Sequence, residues 1–112
     1  MYEYKVKEVI KVVDGDTVDV LIDLGFYLYT KKRVRLQGIN APESRTRNLS
    51  EKKRGIKSKE RLKEMCDSDL VLKCHGLGKY GRVLGELFSD GVSLNKLMVS
   101  EGHAVEYFGG KR

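Results

Sequence analysis

The chain has 112 residues, with 22 Lys and Arg against 16 Asp and Glu, a formal net charge of +6, and 40% hydrophobic and 34% charged composition. That length suits one domain, burying on folding roughly two thirds of the surface the unfolded chain exposes. The composition excludes disorder and collagen-like repeats, and no apolar run approaches the ~20 residues of a membrane span.

Tyr4 to Val13 reads as a strand with imperfect alternation, and Thr17 to Ile22 as a second, with Val18, Val20 and Ile22 on one face. Asp14-Gly15-Asp16 between them has turn chemistry, which predicts a hairpin. Phe26 to Thr30 is expected to be a short strand or wide loop. Lys32 to Gln37 then forms another strand, with Val34 and Leu36 inward and Arg33, Arg35 and Gln37 on the opposite face. Gly38 to Arg47 has turn composition and holds the only proline, Pro42, which disfavours a helix through Ala41.

Asn48-Leu49-Ser50-Glu51 predicts a capping box and a helix from Leu49 to Met65. Its apolar stripe of Ile56, Leu62, Met65 and Cys66 is thin, and Gly55 weakens it by ~1 kcal/mol relative to alanine. Leu70 to His75 reads as a strand, Gly76-Leu77-Gly78 as a loop, Arg82 to Phe88 as a strand, and Ser89-Asp90-Gly91 as a turn. Ser93 caps a second helix carrying Leu94, Leu97 and Met98, and Gly102 ends it. Residues 1–108 are expected to form one domain and 109–112 a flexible tail. About five strands with two helices predict a mainly β, α+β fold: a five-stranded OB-fold barrel with two packed helices.

Cys66 and Cys74 lack partners at zinc-ligand spacing and are expected to be reduced and half-buried. His75 and His103 are read as structural. The opening Met1-Tyr2-Glu3-Tyr4-Lys5 has no apolar leader, so the cytoplasm is the default compartment, with a secreted mature form left open. A monomer is expected.

The charge is concentrated. Between Ser44 and Lys63 nine basic residues face two acidic ones, a local net of +7, so the remainder of the chain sums to −1. Such a block attracts polyanions, nucleic acid foremost, although lysine-rich solvated helices are also common. Arg45, Arg47, Lys52 and Lys53 are its candidate contacts.

Three segments concentrate polar groups: Val13-Asp14-Gly15-Asp16-Thr17-Val18, Arg33 through Glu43, and Lys79-Tyr80-Gly81-Arg82. Singly they could be strand ends, a solvated strand face and a surface turn. Together they complement one another. Carboxylates and an amide offer hard oxygen ligands for Ca²⁺ or Mg²⁺, the guanidinium forks of Arg35 and Arg82 suit phosphate oxygens, and Glu43 could orient or deprotonate water. Phosphodiester hydrolysis needs these parts, because the phosphorus is shielded by negative oxygens and more charge develops as water adds.

With these motifs the chain resembles the staphylococcal nuclease (thermonuclease) family from Val9 to about Val105, including Asp90-Gly91 through Glu101-Gly102. The resemblance implies an OB-fold phosphodiesterase, Ca²⁺-dependent, hydrolysing DNA and RNA. It implies Asp16 as a metal ligand with Asp14 supporting, Arg35 and Arg82 as phosphate-binding arginines, Glu43 as the proposed general base, and Lys79 and Tyr80 on a terminal phosphate. Asn40 and the Ala41 backbone carbonyl match the other metal-ligand positions. The family usually carries a carboxylate where Asn40 stands, so weaker Ca²⁺ affinity is expected. The chain also stops where family members often continue into a further helix. Tyr107 or Phe108 could stack on a base, though core packing is favoured. The alternative function is a catalytically weakened nucleic-acid-binding module on the same barrel.

Overall fold

The computed structural model describes residues 2–78 and 81–107. Its elements in chain order are β1 (Tyr2–Asp14), β2 (Thr17–Gly25), β3 (Leu28–Leu36), β4 (Ile39–Asn40), α1 (Leu49–Met65), β5 (Leu70–Leu77), β6 (Val83–Ser89), β7 (Val92–Ser93), α2 (Leu94–Ser100) and β8 (Val105–Glu106). The main sheet runs β3-β2-β1-β5-β6, with β7 on its edge. β6 returns to pair in parallel with β3 through Val34↔Val83, Arg35↔Leu84 and Leu36↔Gly85. That seam closes a five-stranded OB-type barrel among the described residues, and the α+β class expected from the sequence holds.

The barrel forms because β1 coils. Its pairing with β2 shifts register between Val6 and Glu8, between Val9 and Lys11, and between Val12 and Asp14. Each shift inserts one residue, so Val6, Val9 and Val12 face inward at a spacing of three, and the extra residues sharpen the twist that curls the sheet. This explains the imperfect alternation of β1. Val18, Val20, Val34, Leu36, Leu72 and Leu87 fill the interior and are fully buried.

The segment from Leu28 to Leu36 is one continuous strand rather than two short pieces. Only Phe26 and Tyr27 form the turn, with φ of 55° and 63°, which compact a two-residue connection between Gly25 and Leu28. β5 likewise runs on to Leu77, past the expected glycine-rich loop, because Gly76↔Leu84 and Leu77↔Val83 continue the ladder. Gly76 at φ 145° accompanies the register shift there.

α1 spans the predicted residues, but it uses half a capping box. Asn48 Oδ1 accepts from the Glu51 N–H at 3.1 Å, while Glu51 Oε2 accepts from the Glu43 N–H at 3.1 Å instead of reaching back to Asn48. Its buried residues are Gly55, Ser58, Leu62 and Met65, whereas Ile56, expected in the apolar stripe, is exposed. α2 begins with Ser93 Oγ accepting from the Lys96 N–H and ends as predicted at Gly102. There the His103 N–H bonds the Met98 carbonyl and the Gly102 N–H the Val99 carbonyl, a Schellman motif. Both cysteines are free and half-buried, and burial pushes the Cys66 thiol up to about 11. No helix among the described residues is long and apolar enough to cross a membrane.

Candidate active site

The site is built around a hairpin tip driven into the helices. Gly15 and Asp16 are the two residues between the Asp14↔Thr17 pair. A Cβ at Gly15 would lie 2.7 Å from Ser58 Cβ, 3.0 Å from Ala41 Cβ and 3.2 Å from Met98 Cε, so only glycine lets the turn sit between α1, α2 and the loop after β4. Asp16 is consequently buried. Its carbonyl accepts from the Leu36 N–H at 2.8 Å, its Oδ1 from the Thr17 hydroxyl at 2.9 Å, and its Oδ2 from the Ala41 N–H at 2.8 Å.

Arg35 lies across this carboxylate. Its Nη1 donates to the Leu36 carbonyl at 3.0 Å, and its Nη2 stands 3.6 Å from Asp16 Oδ2 and 3.5 Å from Asn40 Oδ1. Asp16, Arg35, Asn40 and the Ala41 backbone, separated by up to 25 positions in the chain, thus meet at one rim of the barrel. The oxygens brought together there are the Asp16 carboxylate and the Asn40 amide, while Ala41 turns its N–H toward the site. Hard oxygens fit Ca²⁺ in type, and each carboxylate oxygen retains lone-pair capacity beyond its present bonds. In charge the set is light, since Asn40 is neutral and no cluster of three or more His, Cys, Asp or Glu forms among the described residues.

Asp14 performs a neighbouring task. Its Oδ1 accepts from both the Ser44 N–H at 3.1 Å and the Ser44 hydroxyl at 2.6 Å, which fastens the 41–44 loop to the hairpin. Glu43 is held from three sides through its backbone: by Ser44, by the Glu51 side chain on its N–H, and by α1, where a Cβ on Gly55 would stand 2.2 Å from the Glu43 carbonyl oxygen. Its own side chain is exposed and makes no hydrogen bond or ion pair among the described residues. The structure therefore fixes where Glu43 starts without joining its carboxylate to Asp16 and Arg35.

Arg82 stands one residue before β6 and is half-buried. Since Val83 pairs with Val34 and both face the core, the register puts Arg82 on the outer side with Arg35. Two residues along and one strand across separate their Cα atoms by roughly 8 Å. The Gly78 N–H donates to the Arg82 carbonyl at 2.6 Å. Lys79 and Tyr80 lie outside the described residues, as do Phe108 and the expected tail at 109–112. Arg45, Arg47, Lys52 and Lys53 are all exposed, on the loop before α1 and on its first turns. Tyr107 is half-buried and its N–H bonds the Gly38 carbonyl at 2.8 Å, and His75 stands beside Glu86 at 3.8 Å.

Residues that sequence reasoning missed are those that position the others: Thr17, Ser44, Gly55 and Glu51. Only Gly55 gave a signal, as a glycine inside a helix that propensity alone does not justify.

An OB-type barrel with Asp16, Arg35 and Asn40 gathered on one rim is the architecture of a nuclease-like module. The chain belongs to the staphylococcal nuclease homologue family, whose profile matches residues 33–112. It is 30% identical over 110 residues to a protein named micrococcal nuclease from Shigella flexneri, covering 89% of this chain and 57% of that protein. It is 34% identical over 80 residues to a probable staphylococcal-like nuclease of Oryza sativa subsp. japonica, covering 71% of this chain and 23% of the relative. An uncharacterized protein of Bacillus anthracis is 31% identical over 102 residues, covering 88% and 45% respectively. The chain thus spans about half the length of two of these relatives and about a quarter of the third.

Proposed function

We propose that this chain is a metal-dependent nuclease that hydrolyses phosphodiester bonds of DNA or RNA at the rim formed by Asp16, Arg35 and Asn40. The observation that carries the reading is the meeting of a buried carboxylate, a guanidinium fork and an amide oxygen at one point, 3.5 to 3.6 Å apart. Asp16 and Asn40 would hold Ca²⁺, which when bound supplies positive charge to a phosphoryl oxygen. Arg35 is anchored by the Leu36 carbonyl and needs little reorganisation to turn its fork toward phosphate. Arg82 closes on the phosphate from the neighbouring strand. Glu43, on its rigid backbone, swings an exposed carboxylate over the rim to hold the attacking water. Lys79 and Tyr80 take a terminal phosphate, and the basic block receives the rest of the strand.

A binding module with weak catalysis is the second reading, favoured by the neutral Asn40 and by a Glu43 carboxylate that has no partner among the described residues. Single-stranded DNA incubated with the protein in Ca²⁺ or in EDTA separates the two. Chelator-sensitive cleavage that falls at least about 100-fold in kcat, near 3 kcal/mol, on Arg35→Gln or Arg82→Gln supports the enzyme. Salt-sensitive binding with no cleavage supports the module. Asn40→Asp is expected to tighten Ca²⁺ binding by calorimetry, and an unchanged affinity would remove Asn40 from the cation site.

A further inference from the structure

Beside the rim lies a second feature that the proposed chemistry does not use. A cleft of about 470 Å³ opens between α1, the 40–42 loop and the turn after α2, lined among others by Asn40, Pro42, Arg54, Lys57, His103 and Val105. It begins at Asn40, whose amide oxygen is the one 3.5 Å from Arg35, so cleft and rim are continuous.

We infer that this cleft binds the phosphodiester of the next nucleotide of a single-stranded substrate, through Arg54 and Lys57. The inference rests on the nucleic-acid reading above and adds a subsite to it. Arg54 and Lys57 lie three residues apart on α1, hence on one face with their Cβ atoms about 5–6 Å apart. Both are exposed, and neither makes an ion pair among the described residues. The carboxylate that shares the cleft, Glu51, is already committed to the Glu43 N–H at 3.1 Å. Two cations against the one carboxylate among the lining residues leave the cleft with a net positive charge.

The walls are preformed. Ser58 Oγ donates to the His103 carbonyl at 2.6 Å, and Arg61 grips Glu101 through a fork of 2.6 and 3.0 Å. Both bonds fix the turn after α2 to α1, so binding does not have to order it. Pro42 and Val105, the latter 63% exposed, add apolar surface against which a sugar or base can rest. The volume is that of a small-ligand site.

The test uses the full chain in EDTA, so that binding is read without cleavage, with a fluorescein-labelled oligo(dT) 12-mer followed by anisotropy from 50 to 300 mM NaCl. Each phosphate contact on a single strand contributes about 0.7 to the slope of log K against log salt, so Arg54→Gln/Lys57→Gln, which empties the one phosphodiester subsite, should lower that slope by about 0.7. Lys59→Gln/Lys63→Gln removes the same charge from another side of α1 and should change it far less. Val105→Glu, an exposed substitution that places a carboxylate at the cleft mouth, should weaken binding severalfold and guards against misfolding of the double variant. Equal losses for the two double variants, or no loss for Arg54→Gln/Lys57→Gln and Val105→Glu, would overturn the subsite. Cleft-dependent binding without cleavage in Ca²⁺ would sink the nuclease reading and leave the subsite standing. Cleavage by a native chain whose binding ignores the cleft would do the reverse, and no binding at 50 mM NaCl would overturn the subsite.

Discussion

Gly55 shows how a residue's cost in one ledger is its function in another. In an isolated helix alanine would be better by ~1 kcal/mol. Here the added Cβ would press within 2.2 Å of the Glu43 carbonyl oxygen and 2.7 Å of the Ser44 nitrogen, which are backbone atoms and cannot rotate away. Gly55→Ala is therefore expected to destabilise the protein, by about 2 kcal/mol or more in denaturant unfolding, and to displace the segment that carries Glu43. A stabilised variant would mean that α1 does not touch the loop. Asp19 makes a comparable point about charge. Buried on the outer side of β2, it accepts a fork from Arg33 at 2.8 and 3.1 Å, and this hydrogen bonding holds its carboxyl below the ordinary 3.8 against the opposing effect of burial. A lowered pKa in the folded state means that the stabilisation is present above about pH 4 and is lost as the pH falls through the lowered value. Unfolding midpoints measured from pH 7 to 2 should show that loss in the native protein. Arg33→Gln should be less stable at pH 7 and should lack that part of the acid-side decline.

At the level of elements, the β2–β3 turn is a strained connection. Both of its residues have positive φ, the mirror-image turn that suits hairpin twist and that asparagine and glycine adopt most easily. Yet Phe26 and Tyr27 stand there, 94% and 91% exposed, so neither burial nor packing offsets the backbone strain. Phe26→Asn/Tyr27→Gly should raise stability by about 1 kcal/mol or more without changing the register of β2 and β3. Urea unfolding measures this, and a lower midpoint would show that the aromatic pair packs in solution. The helices were more legible than the strands. Asn48, Ser93 and Gly102 act on neighbours three to five residues away, so caps and ends could be read from local chemistry. β1 could not be read that way. Its three bulges are set by how a 13-residue strand must coil to meet both β2 and β5, and nothing in Lys7, Ile10 or Val13 announces an inserted residue.

For the whole molecule the decisive contact is the β3–β6 seam, which puts Arg82 on the same outer face as Arg35. Asn95 secures it from α2, a role hidden in a sequence where it looks like a polar residue between two leucines. Its Nδ2 donates to the Gln37 carbonyl at 2.9 Å and the Gly85 carbonyl at 3.2 Å, while its Oδ1 accepts from the Leu87 N–H at 3.3 Å. Asn95→Ala should take the acceptor from the buried Leu87 N–H and a donor from the Gln37 and Gly85 carbonyls, and cost about 1–3 kcal/mol, lost in one cooperative transition with the rest of the barrel. A separate early transition would show that α2 is not part of the same unit. By itself the sequence determined the turns at Gly15-Asp16 and Asp90-Gly91, the N-caps Asn48 and Ser93, the extent of α1, and the outward placing of Arg33 and Arg35. These follow from hydrogen bonds and steric preferences that act within a few residues. Only the tertiary structure decided that Gly15 and Gly55 are points of close approach, that Glu51 serves Glu43, and that Asp16, Arg35 and Asn40 share a rim while the Glu43 carboxylate stands apart. Those depend on where distant parts of the chain pass one another, and residue identity alone carries no record of that distance.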